Sequence, residues 1–360
     1  MGFFQPLIRI LNIYFVSQLP YLSIIIPARN EEKYIYSVLE SVKAQNYPSE
    51  HYEIIIADGC SDDQTRRRID DFMRDHPGMR IIVVENEQKI VPFALNKSIK
   101  KAVGNVIVRL DAHSVYPTDY LSRLVNGLKE HNADNIGGVF NTLPHDESHL
   151  SISIAFAMSH PLGVGDSLHR IGGTKVREVD SVPYGCFKKE VFDRIGLFDE
   201  ELVRNQDDEF NGRMKKAGMK VLMLPDLKID YYARESLVKL FRMFYQYGLF
   251  KPLAVSKLRQ IPSFRQLVPP GLVVYLFAGF ILPFLRAEVS IIYGILLGIY
   301  LLMIFGVALN YSIKSSLKRF PLVVSAFIIM HFSYGLGYLK GLWGLLSGNK
   351  KVFQISGTSR

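Results

Sequence analysis

From residue 269 to residue 346 the sequence carries almost no charge, and its apolar residues fall into three stretches, 269–285, 289–309 and 321–339, with only Arg286, Ala287 and Glu288 between the first two. Each is close to the ~17–25 residues that cross a bilayer as a helix. Helices of a water-soluble bundle keep a polar face, and these stretches have none over most of their length. The C-terminal third therefore reads as membrane. The first two thirds have the mixed composition of a soluble α/β domain, so the shift in composition is itself a domain boundary.

Charge gives this arrangement a direction. Lys and Arg number 43 against 34 Asp and Glu, a formal net charge of +9 that favours anionic surroundings. Many basic residues precede the first apolar stretch, and Lys314, Lys318 and Arg319 follow the second, so a hairpin of the two leaves both sets on the cytoplasmic side. A third full span would carry Lys350 and Lys351 outside, which leaves a re-entrant last segment or a tolerated basic tail. The expected localisation is the cell membrane, multi-pass, with the soluble domain cytoplasmic. Near the N-terminus, Phe3, Phe4, Leu7, Ile8, Leu11 and Phe15 are interrupted by Gln5 and Arg9, with no small-residue cleavage site of a signal peptide. A helix lying in the membrane interface and a helix packed on the soluble domain fit that spacing equally. With only Cys60 and Cys186, no disulfide framework is implied, in keeping with a cytosolic face.

Within the soluble part, Leu22-Ser-Ile-Ile-Ile-Pro27 is a β-branched, uncharged run that predicts a buried parallel strand, and Ala28-Arg-Asn-Glu-Glu32 opens a helix reaching about Ala44. Glu53-Ile-Ile-Ile-Ala-Asp58 repeats the strand, and Gly59-Cys-Ser-Asp-Asp63 supplies capping residues for the next helix. Arg80-Ile-Ile-Val-Val84 and Val106-Ile-Val-Arg-Leu110 are a third and fourth strand, with a helix over 93–102 between them. Strand alternating with helix predicts a doubly wound sheet with helices on both faces.

In such sheets ligands sit beyond the carboxyl ends of the strands. Asn30, Glu31, Asp58 and Asp111 all fall there. Each alone could be an ordinary helix cap or a solvated strand end; together they describe one rim. Asp111 and His113, two apart on an extended segment, point the same way and offer an oxygen and a nitrogen to a divalent metal holding a diphosphate. No G-x-G-x-x-G follows the first strand and no G-K-[ST] occurs, which disfavours a dinucleotide oxidoreductase and a P-loop NTPase.

Taken in order, several motifs resemble the inverting family 2 glycosyltransferases of the GT-A fold. They are Ile24-Ile-Ile-Pro-Ala-Arg-Asn-Glu-Glu32, Asp58-Gly-Cys-Ser-Asp-Asp63, Ala94-Leu-Asn96 with Ala102-Val-Gly104, Leu110-Asp-Ala-His113, Tyr184-Gly185 with Arg194-Ile-Gly-Leu-Phe-Asp199, and Asn205-Gln-Asp-Asp-Glu-Phe-Asn211. The chain is most similar to the succinoglycan-type glucosyltransferases of exopolysaccharide synthesis, in the Asp-Ala-His variant and in carrying C-terminal membrane segments. The resemblance implies a GT-A-type mixed sheet, followed by interfacial helices and a transmembrane helical region. The expected division is 1–19 interfacial, 20–235 transferase, 236–268 interfacial helices, 269–347 transmembrane and 348–360 tail.

The same resemblance implies roles. Pro27, Arg29, Glu31 and Asp58 would line the nucleoside pocket, with Glu31 on ribose hydroxyls and Asp58 accepting from the uracil N–H. Asn96, Arg109 and Arg213 join the expected donor contacts, Arg213 standing where relatives keep a basic residue near the phosphates, although a surface ion pair fits it as well. Asp111 would bind Mg²⁺ or Mn²⁺ bridging the diphosphate. His113 stands where many members have a second Asp, and imidazole, a softer ligand, leans toward Mn²⁺; a non-ligating His is the alternative. Asp207 aligns with the general base that deprotonates the acceptor hydroxyl, with Asp208 a competitor one residue away; Gln206, where most members have Glu, cannot serve. A helix cap is the plain reading of the same acidic cluster.

Between residues 232 and 268, Arg242, Lys251, Lys257, Arg259 and Arg265 alternate with Phe241, Phe244, Tyr245, Tyr247 and Phe250. That mixture suits helices on the cytoplasmic leaflet, and its continuation into apolar stretches argues against nucleic acid as the partner. His331 and Tyr334 lie in the third apolar stretch, where ionisable groups mark function, while Gly335 and Gly337 equally suit close helix packing. The expected activity is transfer of a hexose from a nucleotide diphosphate, UDP-glucose by resemblance, to a lipid-linked saccharide. The alternatives are synthesis of a polyprenyl-phosphate sugar and an inactive membrane scaffold, the latter motivated by His113 and Gln206.

Overall fold

The structure, a computed structural model, describes residues 19–279 and 287–354. The expected interfacial segment at 1–19 lies, except for Leu19, outside the described residues, as does the end of the first apolar stretch. Nine described strands form one sheet: β1 (Leu22–Ala28), β2 (Tyr52–Asp58), β3 (Ile81–Glu85), β4 (Val106–Arg109), β5 (Ser114–Val115), β6 (Asn135–Leu143), β7 (Arg177–Glu178), β8 (Cys186–Lys188) and β9 (Val221–Tyr232). Their order is β3-β2-β1-β4-β8-β6-β9-β5, with β7 on β9. β1 runs parallel to β2 and β4, and β2 to β3. β8 is antiparallel to both β4 and β6, so the sheet is mixed, as expected.

The Ile-rich strands form here because successive residues of β1 and β2 are buried, which requires cover on both faces of the sheet. Helices α1 (Ile35–Lys43), α2 (Thr65–Asp75), α3 (Val91–Lys101) and α4 (Tyr120–Glu130) follow in alternation with the strands. Glu53, at the start of β2, is fully buried: Oε1 accepts from Ser23 Oγ at 2.7 Å and from Val103 N at 2.9 Å, while Oε2 has no hydrogen bond and lies 3.1 Å from Arg80 Nε as an ion pair. Gly104 is required beside this knot, since a Cβ there would lie 2.6 Å from Ser23 N and from Tyr21 O.

The chain divides into two compact units. The first is Met1–Val139, Gly173–Glu200 and Phe210–Ile229; the second is Phe140–Gly172, Glu201–Glu209 and Asp230–Arg360. The second unit thus takes residues 140–172 and 201–209 out of the stretch that reads, in sequence, as one transferase domain.

In that second unit α5 (His149–Ser159) precedes, in the chain, α6 (Glu190–Ile195) of the first unit and α7 (Gln206–Lys216), which passes between the units; then come α8 (Leu237–Lys257), α9 (Phe264–Ala278), α10 (Ala287–Lys314) and α11 (Phe320–Leu346). Helices α8 and α11 touch backbone to backbone through glycine. A Cβ on Gly248 would lie 2.1 Å from Tyr334 O, and one on Gly337 2.1 Å from Tyr245 O. Close packing therefore accounts for Gly337, as it does for Gly335, whose Cβ would meet Pro269 O at 2.4 Å. His331 fastens three segments, with Nε2 2.7 Å from Leu162 O and Nδ1 3.0 Å from Tyr300 Oη.

Two described helices have the length and composition to cross a membrane, Glu288–Lys314 and Leu317–Leu346. Only 11% of the apolar window of the first is buried in protein, and Ile291, Ile295 and Leu302 are exposed along it. An exposed apolar surface of this kind marks a membrane or protein contact. The expected first span appears, over its described part, as the shorter helix α9. Phe244 and Phe250 of α8, read from sequence as interfacial aromatics, are buried in protein, because α8 packs on α11.

Candidate active site

The parallel register brings the strand exits side by side. Ala28 of β1 pairs with Asp58 of β2, and Ile25 of β1 with Arg109 of β4. The loops beyond β1 and β2 are then laced together. Asn30 N donates to Ser61 Oγ at 3.0 Å, Asn30 Nδ2 to Asp62 Oδ1 at 2.8 Å, Glu31 N to Thr65 Oγ1 at 2.7 Å, and Gln64 N to Glu32 Oε2 at 3.0 Å. Asn30 (φ 56°) and Cys60 (φ 51°) take the left-handed conformation that sharp corners of this kind require. For Cys60 this carries strain of the sort found at functional loops.

The lacing fixes the donors and acceptors on the rim. Asp58 Oδ1 accepts from Ser61 N at 3.2 Å and from Ser61 Oγ at 2.6 Å, while its Oδ2 has no hydrogen bond among the described residues. Arg29 lies across Gly59, where a Cβ would come within 3.0 Å of Arg29 Cβ. The buried Arg29 Nε has no hydrogen-bond partner, an orphaned donor on the same rim. Pro27, in β1, is partly buried behind it.

Beyond β4 three side chains converge. His113 Nδ1 lies 2.5 Å from Asp111 Oδ1 and 3.1 Å from Glu31 Oε1, with side-chain exposures of 14%, 20% and 11%. The turn is held from behind by Tyr116, whose hydroxyl accepts from Asp111 N at 2.7 Å. Burial holds the Tyr116 phenol well above its ordinary range, so it stays a neutral hydrogen-bonding group. Arg109 is nearly buried, with its guanidinium 5.7 Å from the centre of the Tyr184 ring, and Tyr184 Oη meets Ser114 Oγ at 2.6 Å. One ring nitrogen thus faces two carboxylates. Among the described residues no group of three or more His, Cys, Asp or Glu is placed to hold a metal.

Asn96 and Arg213, both expected among the donor contacts, hold nearby backbone. Asn96 is 3% exposed and its amide is engaged: Nδ2 donates to Phe198 O and Glu200 Oε1, both at 2.9 Å, and Oδ1 accepts from Phe198 N at 3.0 Å. Arg213 donates to Ile195 O at 2.5 Å and to Leu197 O at 2.7 Å, covering the open carbonyl end of α6.

Asp207 and Asp208 open α7 and belong to the second unit. Asp207 is partly buried. Asp208 pairs with Lys251 at 2.6 Å. Burial raises its carboxyl, but Lys251, with Arg265 adding, outweighs that and holds it below the usual carboxylate range. Sequence reasoning missed Ser61, Thr65, Tyr116 and Tyr184. Ser61 and Tyr184 stood in motifs already quoted, and only their roles went unread; Thr65 and Tyr116 carried no signal.

The family described as Glycosyl transferase family 2 matches residues 23–177, which contain the whole strand-end rim. Over 332 residues the chain is 30% identical to the dolichyl N-acetyl-alpha-D-glucosaminyl phosphate 3-beta-D-2,3-diacetamido-2,3-dideoxy-beta-D-glucuronosyltransferase of Methanococcus voltae, covering 89% of this chain and 97% of that protein. This chain is a family 2 glycosyltransferase. It is also 28% identical over 321 residues to the succinoglycan biosynthesis protein ExoA of Rhizobium meliloti, covering 89% of this chain and 94% of ExoA. The fold is similar to that of the mannosyltransferase PcManGT from Pyrobaculum calidifontis, solved with GDP-Man and Mn²⁺, with a TM-score of 0.57 at 18% identity over 94% of each chain. The family is one of sugar-transferring enzymes, and the GT-A-like sheet agrees with it.

Proposed function

We propose that this glycosyltransferase moves a hexose from a UDP-sugar, UDP-glucose by resemblance, to a lipid-linked saccharide, with inversion at the anomeric carbon. The observation that carries the reading is the convergence of Glu31, Asp111 and His113 beside Asp58 and the orphaned Arg29 Nε. Asp58, with Oδ2 open, suits the acceptor of a base N–H, and Glu31 suits ribose hydroxyls. Relatives support the acceptor class: ExoA by its name belongs to succinoglycan biosynthesis, and the Methanococcus enzyme by its name acts on a dolichyl phosphate-linked sugar.

A divalent ion fits this rim. Asp111 offers a hard oxygen and His113 a nitrogen, both partly open to solvent, and two protein ligands suffice when substrate phosphates and water complete the set. The imidazole favours Mn²⁺ over Mg²⁺, in keeping with the Mn²⁺ named in the PcManGT complex. Bound there, the ion supplies positive charge where the departing diphosphate becomes more negative. The chain's own residues do the rest. Glu31 orients His113, Tyr116 holds the Asp111 turn, and Asp207 takes the proton of the attacking hydroxyl, so that C–O bond formation and loss of the nucleotide proceed without a free alkoxide. Lys and Arg at the ends of α10 and α11 favour a multi-pass membrane location with the transferase unit cytoplasmic.

The test is incubation of membranes containing the protein with labelled UDP-glucose, UDP-galactose, UDP-GlcNAc and GDP-mannose, followed by lipid extraction. Label from UDP-glucose in an extended lipid-linked oligosaccharide is expected. An acid-labile lipid monophosphosugar would replace this acceptor with a polyprenyl phosphate, and no transfer or hydrolysis of any donor would overturn the reading.

A further inference from the structure

The second unit contains a cluster that the transfer chemistry above does not use. Arg170 packs its guanidinium against two aromatic rings, 5.3 Å from the Phe140 centroid and 5.4 Å from that of Tyr231. Its Nη1 is buried and has no hydrogen-bond partner. Lys251, on α8, meets Asp208, and Arg265, near the start of α9, pairs with Asp166. His169 lies among them: burial first, then Arg170, with Arg265 and Lys251 adding and Asp208 opposing, pushes its imidazole down to about 3, so it stays neutral.

Arg170 packs on rings, Lys251 is paired with Asp208 and Arg265 with Asp166; the Asp166 side chain is 79% exposed, so that pair is screened by water and contributes little. An orphaned buried guanidinium N–H calls for an oxyanion. Where the cluster sits narrows which oxyanion. Arg265 opens the apolar helix α9 just after Ile261 and Phe264, which are 93% and 84% exposed, and the segment carrying His169 and Arg170 is tied by Leu162 O to His331 of a span-length helix. Fixed cations next to exposed apolar residues, at the root of membrane helices, match a headgroup on a lipid tail.

We propose that Arg170, Lys251 and Arg265 seat the phosphate of the lipid acceptor, an inference that rests on the lipid-linked acceptor proposed above. Arg170 supplies the open N–H, Arg265 exchanges Asp166 for the phosphate, and Lys251 adds charge while holding Asp208, the neighbour in sequence of the base Asp207. The headgroup is thereby gripped in the unit that also carries the base.

The experiment uses the full chain in phosphatidylcholine nanodiscs, with binding measured for a long-chain polyprenyl phosphate, the matching polyprenol, phosphatidylglycerol and inorganic phosphate, and with UDP binding as a separate readout. Polyprenyl phosphate should bind about tenfold or more tightly than polyprenol, the scale of a charge-assisted contact. Arg170→Gln should remove that preference, Arg170→Lys should restore part of it, and UDP affinity should stay unchanged in both. Equal binding of polyprenol in the unsubstituted protein would overturn the proposal without any variant. So would equal binding of phosphatidylglycerol, saturation by inorganic phosphate at the same concentration, or a preference that survives Arg170→Gln together with Arg265→Gln. Loss of all sugar transfer with the lipid preference intact would instead count against the proposed function alone.

Discussion

The two units handle polar residues in opposite ways. In the first, the rim at the strand ends is assembled by one parallel register and the loops it sets side by side: Asp58 is held by Ser61, Glu31 is aligned through Thr65 of the neighbouring loop, and Asp111 and His113 share one turn. In the second, the polar cluster draws on segments that no shared register joins, with His169 and Arg170 from one, Asp208 from another, and Lys251 and Arg265 from a third. A rim held by a strand register has the whole sheet behind it. A cluster built by helix packing depends on every helix that positions it.

The largest effect is expected where chemistry rather than geometry is removed. Asp207→Asn should lower turnover about 100- to 10,000-fold while leaving UDP-sugar affinity nearly unchanged, measured by transfer of label and by equilibrium binding. Retained turnover would remove Asp207 as the base. Next, Glu31→Gln withdraws the carboxylate that orients His113 and should weaken Mn²⁺-dependent donor binding about 10- to 100-fold, as removal of such supporting partners does at metal sites; Mn²⁺ titration in the presence of UDP checks this.

A structural contrast follows. Gly337→Leu forces a side chain against Tyr245 O and should destabilise the helical unit by about 1–3 kcal/mol or more, seen as a lower unfolding temperature in detergent, while the first unit still binds UDP. Simultaneous loss of UDP binding would show that the two units unfold as one. The smallest effect concerns pH. His169 is held to about 3, against about 6.5 in an unfolded chain, so between these values the unfolded state takes up a proton that the folded state refuses. Stability carried by this group is complete above about 6.5 and falls as pH drops toward 3. His169→Gln should flatten that part of the acid unfolding profile.

Much of the first unit was legible in the sequence. The β-branched runs at 22–27, 53–57 and 106–110 could only be strands covered on both faces, and polar residues at their exits marked the rim before any geometry was known. The motifs that named Asn96 and Arg213 did not show that each side chain also holds nearby backbone, because such contacts carry no sequence period. Residues 143–182 carried no assignable pattern, yet they supply His169 and Arg170. Nothing periodic distinguishes such residues, because their role comes from where helices α8, α9 and α11 hold them.

The sequence by itself determined the sheet, the rim at its strand ends and the apolar C-terminal helices, since these rest on periodicity, residue type and charge, all of which are local. The tertiary fold set one imidazole against two carboxylates, paired Asp208 with Lys251, and paired Arg265, at the start of an apolar helix, with Asp166. Such contacts join residues whose separation in the chain carries no period. Only packing, with glycine letting α8 and α11 touch, brings them within the few ångströms over which charge and hydrogen bonding act.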